Sequence, residues 1–156
     1  MLNIELVTDS SSYSMIHELN DNLREEEVLE VSRSHNKEQL EVIRDSVERS
    51  IGDCWAFKDN KGLLAINGMH PLSPLSDRAI VWLLTTERAK QYPKQLVKQT
   101  RKFLRNWSKE YPVLFNFVDA EYEASIRWCK VVGFEVHPAE PFGHDGSMFH
   151  KVEYRR

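Results

Sequence analysis

Ala79-Ile-Val-Trp-Leu-Leu-Thr-Thr86 is an apolar, β-branched run, and Val113-Leu-Phe-Asn-Phe-Val118 is a second. Pro93 stands between them at a helix start, where its missing N–H costs nothing and its φ is already helical. Leu96, Val97, Thr100, Phe103, Leu104 and Trp107 then share one face of a helix running to about Lys109. Two strands joined by such a crossover are expected to be parallel neighbours. A second helix carries Ala124, Trp128 and Val132 on its apolar face and stops at Gly133-Phe134, with a strand continuing to Val136. The stretch from 79 to 136 therefore reads strand, helix, strand, helix, strand. In open sheets of this kind a ligand binds where neighbouring strands part and a helix N-terminus points at the gap.

Working outward, Ile4 to Val7 reads as a first strand, and Thr8-Asp-Ser-Ser-Ser12 offers several helix caps. Helical stretches are expected over Tyr13–Leu19, from Leu23 to about Arg33, and from about Lys37 to Ser50. In the last of these Leu40, Ile43, Val47 and Ile51 keep helical spacing. Cys54–Phe57 and Leu63–Ile66 form a hairpin across Asp59-Asn-Lys-Gly62, and Pro71–Pro74 is a loop. A second loop is expected from Pro138 to Gly146, before a last alternating strand from Met148 to Tyr154.

At 156 residues the chain is expected to form one domain, residues 1–156, with a full core. Hydrophobic residues at 41% and charged residues at 29% are those of an ordinary globular protein. A net charge of -3 gives no nucleic-acid signature. The basic residues Arg88, Lys90, Lys94, Lys98, Arg101, Lys102 and Arg105 are concentrated late. Glu25-Glu26-Glu27, Glu30, Glu38 and Glu41 come early and read as solvated helix faces. Cys54 and Cys129 sit in apolar surroundings outside any CxxC pair and are expected to be reduced core thiols. His137, His144, Asp145 and His150 match no metal-ligand spacing, and Gly143-His-Asp-Gly146 reads as a turn. Trp55, Trp82, Trp107 and Trp128 read as core aromatics. No leader and no membrane span is expected, which points to a cytoplasm or a particle assembled there.

The element order, together with Tyr122-Glu-Ala-Ser-Ile-Arg-Trp-Cys-Lys-Val-Val-Gly133-Phe134, resembles the GNAT superfamily of acyl-CoA-dependent N-acetyltransferases. A closer resemblance, over about Leu23 to Tyr154, is to phage-encoded GNAT-like proteins that include the internal virion protein A family of short-tailed phages. It rests on Leu23-Arg-Glu-Glu-Glu27, Gly62-Leu-Leu-Ala-Ile-Asn-Gly68, Val81-Trp-Leu-Leu-Thr-Thr86, Tyr111-Pro112 with Asn116-Phe-Val-Asp119, Ile126-Arg-Trp128 and Gly133-Phe134. The resemblance implies an α/β (α+β) fold. Its sheet is mixed and mostly antiparallel, of about seven strands, with helices on both faces and splayed strands four and five.

The resemblance also implies acetyl-CoA as cofactor and an amine, small or on a protein, as acceptor. In that family a glycine-rich turn holds the pyrophosphate on backbone N–H groups. Here the register gives Arg88-Ala-Lys-Gln-Tyr-Pro93, with the arginine kept and both glycines gone. The implied cofactor-binding residues are Thr85, Thr86, Arg88, Lys90, Tyr92, Lys94 and Asn116. The tyrosine that protonates the leaving thiolate corresponds to Cys129, with Tyr122 as a substitute. Glu87 and His70 are the base candidates. Two outcomes are open. The chain is an N-acetyltransferase, or it is a GNAT fold that has lost catalysis and serves inside a virion, in morphogenesis, or on a host protein. Host cytoplasm or virion is the expected location, with no nucleic acid or membrane partner.

Overall fold

The computed structural model describes residues 2–156. One sheet takes strands from both ends of the chain: β1 (Asn3–Leu6), β2 (Cys54–Asp59), β3 (Gly62–Pro71), β4 (Arg78–Thr85), β5 (Val113–Asp119), β6 (Glu135–Pro141) and β7 (Met148–Arg155). Their order is β1-β2-β3-β4-β5-β7-β6. Every neighbouring pair is antiparallel except β4–β5, which is parallel as the crossover requires. The helices are α1 (Asp9–Asn22), α2 (Glu25–Ser34), α3 (Gln39–Arg49), α4 (Pro93–Trp107) and α5 (Glu123–Val132), with a 3-10 turn at Glu87–Gln91.

Two apolar clusters sandwich the sheet. On one face Met15, Ile16 and Leu19 of α1 and Ile43 and Val47 of α3 meet Ile66 and Leu84. On the other, Leu104 and Trp107 of α4 and Val132 of α5 meet Val81 and Leu114. The apolar spacing read from the sequence places α3 and α4 correctly. Trp82 is fixed by donation from its Nε1 to Ser50 Oγ at 2.9 Å, and its ring fills the space beside Gly68. A Cβ at Gly68 would come within 2.6 Å of that ring, so only glycine fits. Gly133 ends α5 at φ 114, the left-handed conformation that a helix stop favours.

Three boundaries and one helix face differ from expectation. Helix α1 begins at Asp9 because Thr8 caps it, accepting from Ser11 N while the Ser11 side chain accepts from Thr8 N. Strand β3 runs through Pro71, where a loop was expected, since Pro71 still pairs with Ala79 of β4. Strand β6 likewise runs through Pro138 and Pro141. It is an edge strand, and its register breaks between Val136 and Ala139, so the prolines interrupt no interior ladder. On α5 the buried positions are Cys129 and Val132, which turns Trp128 to the flank, half-buried. Among the described residues no helix is long and apolar enough to cross a membrane.

Candidate functional site

The parallel ladder between β4 and β5 is short, with Arg78, Ala79 and Ile80 facing Val113, Leu114 and Phe115. The next residue ends it. Asn116 turns its amide between the strands, donating from Nδ2 to Val81 O at 2.7 Å, while its Oδ1 accepts from Phe117 N at 2.7 Å. A side chain now stands where backbone would pair with backbone, so the strands part. The result is a V that opens toward Thr85 on one arm and Asp119 on the other.

Helix α2 lies across the open end of that V. Arg24, just before it, donates its N–H to Thr85 O at 2.9 Å, and Leu23 makes an isolated antiparallel bridge to Thr86. Glu27 Oε1 accepts from Thr85 N at 2.6 Å, and Glu27 Oε2 accepts from Thr85 Oγ1 and from Tyr122 Oη, the latter at 3.3 Å. One turn on, Glu30 Oε2 accepts from Asp119 N at 3.0 Å. Arg33 then pairs with Asp119 at 3.2 Å and Glu121 at 2.5 Å. Its carbonyl accepts from His144 N at 3.2 Å, while Ser32 O meets His144 Nε2 at 2.8 Å. The helix is thus pinned to β4, to β5 and to the β6–β7 turn.

Burial shapes the acids of this site. Glu27 is 5% exposed, and removal from water pushes its carboxyl up to about 7 despite the three donors and Arg24 nearby. Glu30 is pushed up to about 8, by burial first and then by the charges of Glu27 and Asp119. Burial and the Glu27 charge raise the Tyr122 phenol well above its ordinary value. The Cys129 thiol is pushed up to about 12 by burial, with the Glu30 charge adding to it.

The turn after β4 is closed on itself. Thr86 N donates to Leu64 O, Ala89 N to Thr86 O and Tyr92 N to Ala89 O, each within 3.1 Å. Arg88 and Tyr92 both hold Asp59 at the end of β2, Tyr92 Oη at 2.8 Å. Lys90 pairs with Glu87 at 2.6 Å and Glu26 at 3.7 Å. Beyond the turn, Lys94, Lys98, Arg101 and Arg105 line an open groove of about 520 Å³ along α4, with Pro93, Val97 and Val131. None of these four cations pairs with a carboxylate among the described residues.

The structure brings Thr85, Tyr122 and Asn116 to the V and places Cys129 beneath it, buried. Thr86 faces the other way, its hydroxyl donating to Leu64 O at 3.0 Å. Arg88, Lys90 and Tyr92 are spent on Asp59, Glu87 and Glu26, and Lys94 opens onto the groove. Glu87 is held ionised by Lys90 and by the Glu25 N–H, which it accepts at 3.0 Å at the start of α2. His70 sits opposite Ile80, five residues back along β4 from Thr85, which is about 17 Å of strand. His137, His144, Asp145 and His150 are scattered, with His150 Nδ1 on His137 O at 2.7 Å and Asp145 holding the turn at Ser147 N at 3.0 Å.

The residues that sequence reasoning missed are Glu27 and Glu30. One signal was there: Leu23, Glu27 and Val31 recur every fourth residue, and all three are buried. A carboxylate on an apolar stripe is a buried carboxylate.

No protein-family model matches the chain, and no curated protein matches its sequence. Solved structures do. A ribosomal-protein-alanine N-acetyltransferase from Brucella melitensis superposes with a TM-score of 0.73 at 12% identity, over 99% of each chain. An N-acetyltransferase from Staphylococcus aureus Mu50 gives 0.71 at 14% identity, over 99% of this chain and 98% of that one. A Bacillus subtilis acetyltransferase in complex with CoA gives 0.68 at 10% identity, over 100% and 99%. At these identities the likeness is one of fold: the seven-stranded sheet with its parallel β4–β5 pair is the GNAT fold.

Proposed function

We propose that this chain is an acyl-CoA-dependent N-acetyltransferase of the GNAT type, phage-encoded and acting on an amine in the host cytoplasm. The observation that carries the reading is the V held open by Asn116 between β4 and β5, the two strands that α4 joins, together with the row of four cations along α4. The acetyltransferases that superpose end to end, one of them holding CoA, support it. When bound, the cofactor supplies an activated acyl thioester.

The residues present fit the cofactor's phosphates by side-chain charge rather than by backbone. The Thr86, Ala89 and Tyr92 N–H groups of the turn are bonded internally, and Pro93 has none to offer. Lys94, Lys98, Arg101 and Arg105 would hold the phosphates instead, which makes affinity sensitive to salt. Catalysis would be slow. A buried thiol pushed up to about 12 is a poor proton donor near neutrality, and losing a positioned acid costs about 10²–10⁴-fold.

Calorimetry with acetyl-CoA tests the reading, on wild type and on Lys98→Glu/Arg105→Glu, at low and high salt. Binding that weakens with salt and disappears in the reversed variant is expected. No binding by wild type in low salt, or binding indifferent to both changes, refutes it.

The second reading is a GNAT fold without a donor, serving as an internal virion or morphogenesis protein or as a binder of a host protein. The specific observation in its favour is that Arg88, Tyr92 and the Thr85 N–H are all engaged within the chain. It predicts no acetyl-CoA binding under any condition.

A further inference from the structure

Helix α2 is held to the sheet largely by polar side chains. Of its ten residues only Glu27 and Val31 are buried, while Val28 and Leu29 are 40% and 55% exposed. Its apolar anchors are Val31 and, just before it, Leu23, and its polar attachments sit at three separate places. At β4 they are Arg24 N–H and the Glu27 carboxyl, at β5 Glu30 and Arg33, and at the β6–β7 turn Ser32 O and Arg33. Arg33 Nε donates to Ser147 Oγ at 3.1 Å to complete the last of these. Segments with little apolar burial are the ones that open locally at small cost.

The contacts at Thr85 imitate strand pairing. Its C=O takes the Arg24 N–H and its N–H goes to a Glu27 carboxylate oxygen that stands where a neighbouring strand's carbonyl would be. Adding a strand to an exposed sheet edge needs these same two groups. The edge of β4 that lines the V is therefore covered by the chain itself.

We propose that α2 with Leu23–Arg24 is a releasable strap over the donor site. A ligand that lays an extended, amide-bearing arm along β4 must displace the Glu27 carboxyl and the Arg24 N–H to enter the V. This rests on the donor reading above, since the pantetheine arm of acyl-CoA is a chain of that chemistry. The strap makes the site closed by default, and what opens it is a ligand that repeats its hydrogen bonds.

The test pairs calorimetry with backbone hydrogen exchange, neither of which requires turnover. The probe is acetyl-CoA, on wild type, Glu27→Ala and Arg33→Leu. On wild type, acetyl-CoA should speed exchange across Glu25–Ser34 and slow it at Thr85. Because a hydrogen bond to a charged group is worth about one to two powers of ten in an equilibrium, Glu27→Ala should tighten acetyl-CoA about ten- to a hundredfold. Arg33→Leu, which loosens the far end without touching β4, should tighten it less. Exchange on wild type needs no variant, so poor folding of Glu27→Ala does not remove the test. Acetyl-CoA binding with α2 exchange unchanged and equal affinities in all three proteins overturns the strap and leaves the donor reading standing. No binding by any of the three overturns the donor reading and the strap with it.

Discussion

Replacing Glu27 by glutamine should remove about 3 kcal/mol of the loss of stability that the wild-type protein suffers between acid and neutral pH. The side chain sits among three donors, Thr85 N, Thr85 Oγ1 and Tyr122 Oη. A glutamine keeps the shape. Its carbonyl accepts from Thr85 N, and its NH₂ donates to hydroxyls that can turn to accept. What it removes is titration. The folded-state carboxyl lies at about 7 against an ordinary 4.5, and each unit is 1.36 kcal/mol, which makes about 3 kcal/mol. A raised pKa means that the folded protein holds a proton the unfolded chain releases. The stabilisation is complete below pH about 4.5 and is lost as pH rises to about 7. Glu30 is raised partly by the Glu27 charge, so neutralising Glu27 eases it in the same direction. The variant and wild type should therefore diverge with pH, the variant gaining about 3 kcal/mol, which is about 6–12 °C in melting temperature at this chain length. Thermal melts followed by circular dichroism at intervals from pH 4.5 to 8 measure it. His35 and His70, both lowered by burial, slope the opposite way and cancel in the difference. Two parallel curves, at any offset, would show that the Glu27 carboxyl is ionised throughout and refute the reasoning.

Gly68→Ala should destabilise the protein by about 1–3 kcal/mol, since the new methyl meets a Trp82 ring that Ser50 holds in place. Trp82→Phe in the same background should recover part of the loss in chemical denaturation, and a wild-type midpoint for Gly68→Ala alone would contradict the packing. Trp128→Ala should cost about 2 kcal/mol rather than the ~3–5 of a fully buried aromatic, because the ring flanks the Val118, Cys129 and Val152 cluster instead of filling it. A variant too unstable to purify would place the ring inside.

The fold was legible where one element's residues answer to one neighbour. The run from Ala79 to Thr86 meets core on both faces, so its β-branched composition is enough to identify it. The faces of α3 and α4 follow from period alone. The ends of β3 and β6 were harder. Proline stops a strand only if an N–H is needed there, and that depends on which strand lies alongside. At the site, Asn116, Tyr122 and Thr85 meet at the V because they sit on the strands and helix that make it. Arg88 did not stay available, because its partner Asp59 is 29 residues away, and local charge says nothing of that. Glu27 hid inside a run of three glutamates. The spacing of Leu23, Glu27 and Val31 marks which of the three turns inward, but what it meets there, Thr85, lies 58 residues on.

The parting of β4 and β5 leaves a debt that some group must meet. The Thr85 N–H and C=O point at no strand, and buried backbone groups of that kind require partners. A ligand can supply them from outside, or the chain can do so from within. This chain does so with Arg24 and Glu27, and the choice has a thermodynamic consequence. Releasing the strap exposes Leu23 and Val31, now 8% and 5% exposed, at about 1.5–3 kcal/mol each, and returns two carboxyls to water, which favours release. A closed state a few kcal/mol below the open one reduces apparent affinity by the open fraction, about 10²-fold or more. A cradle of glycine N–H groups would gain nothing from such a site at rest. Side-chain cations on α4, outside the strap, can hold an anion before the V opens. The internally bonded N–H groups of the 3-10 turn, the buried Glu27 and the cations along α4 are then parts of one arrangement, in which the ligand first meets the groove and only afterwards competes for β4.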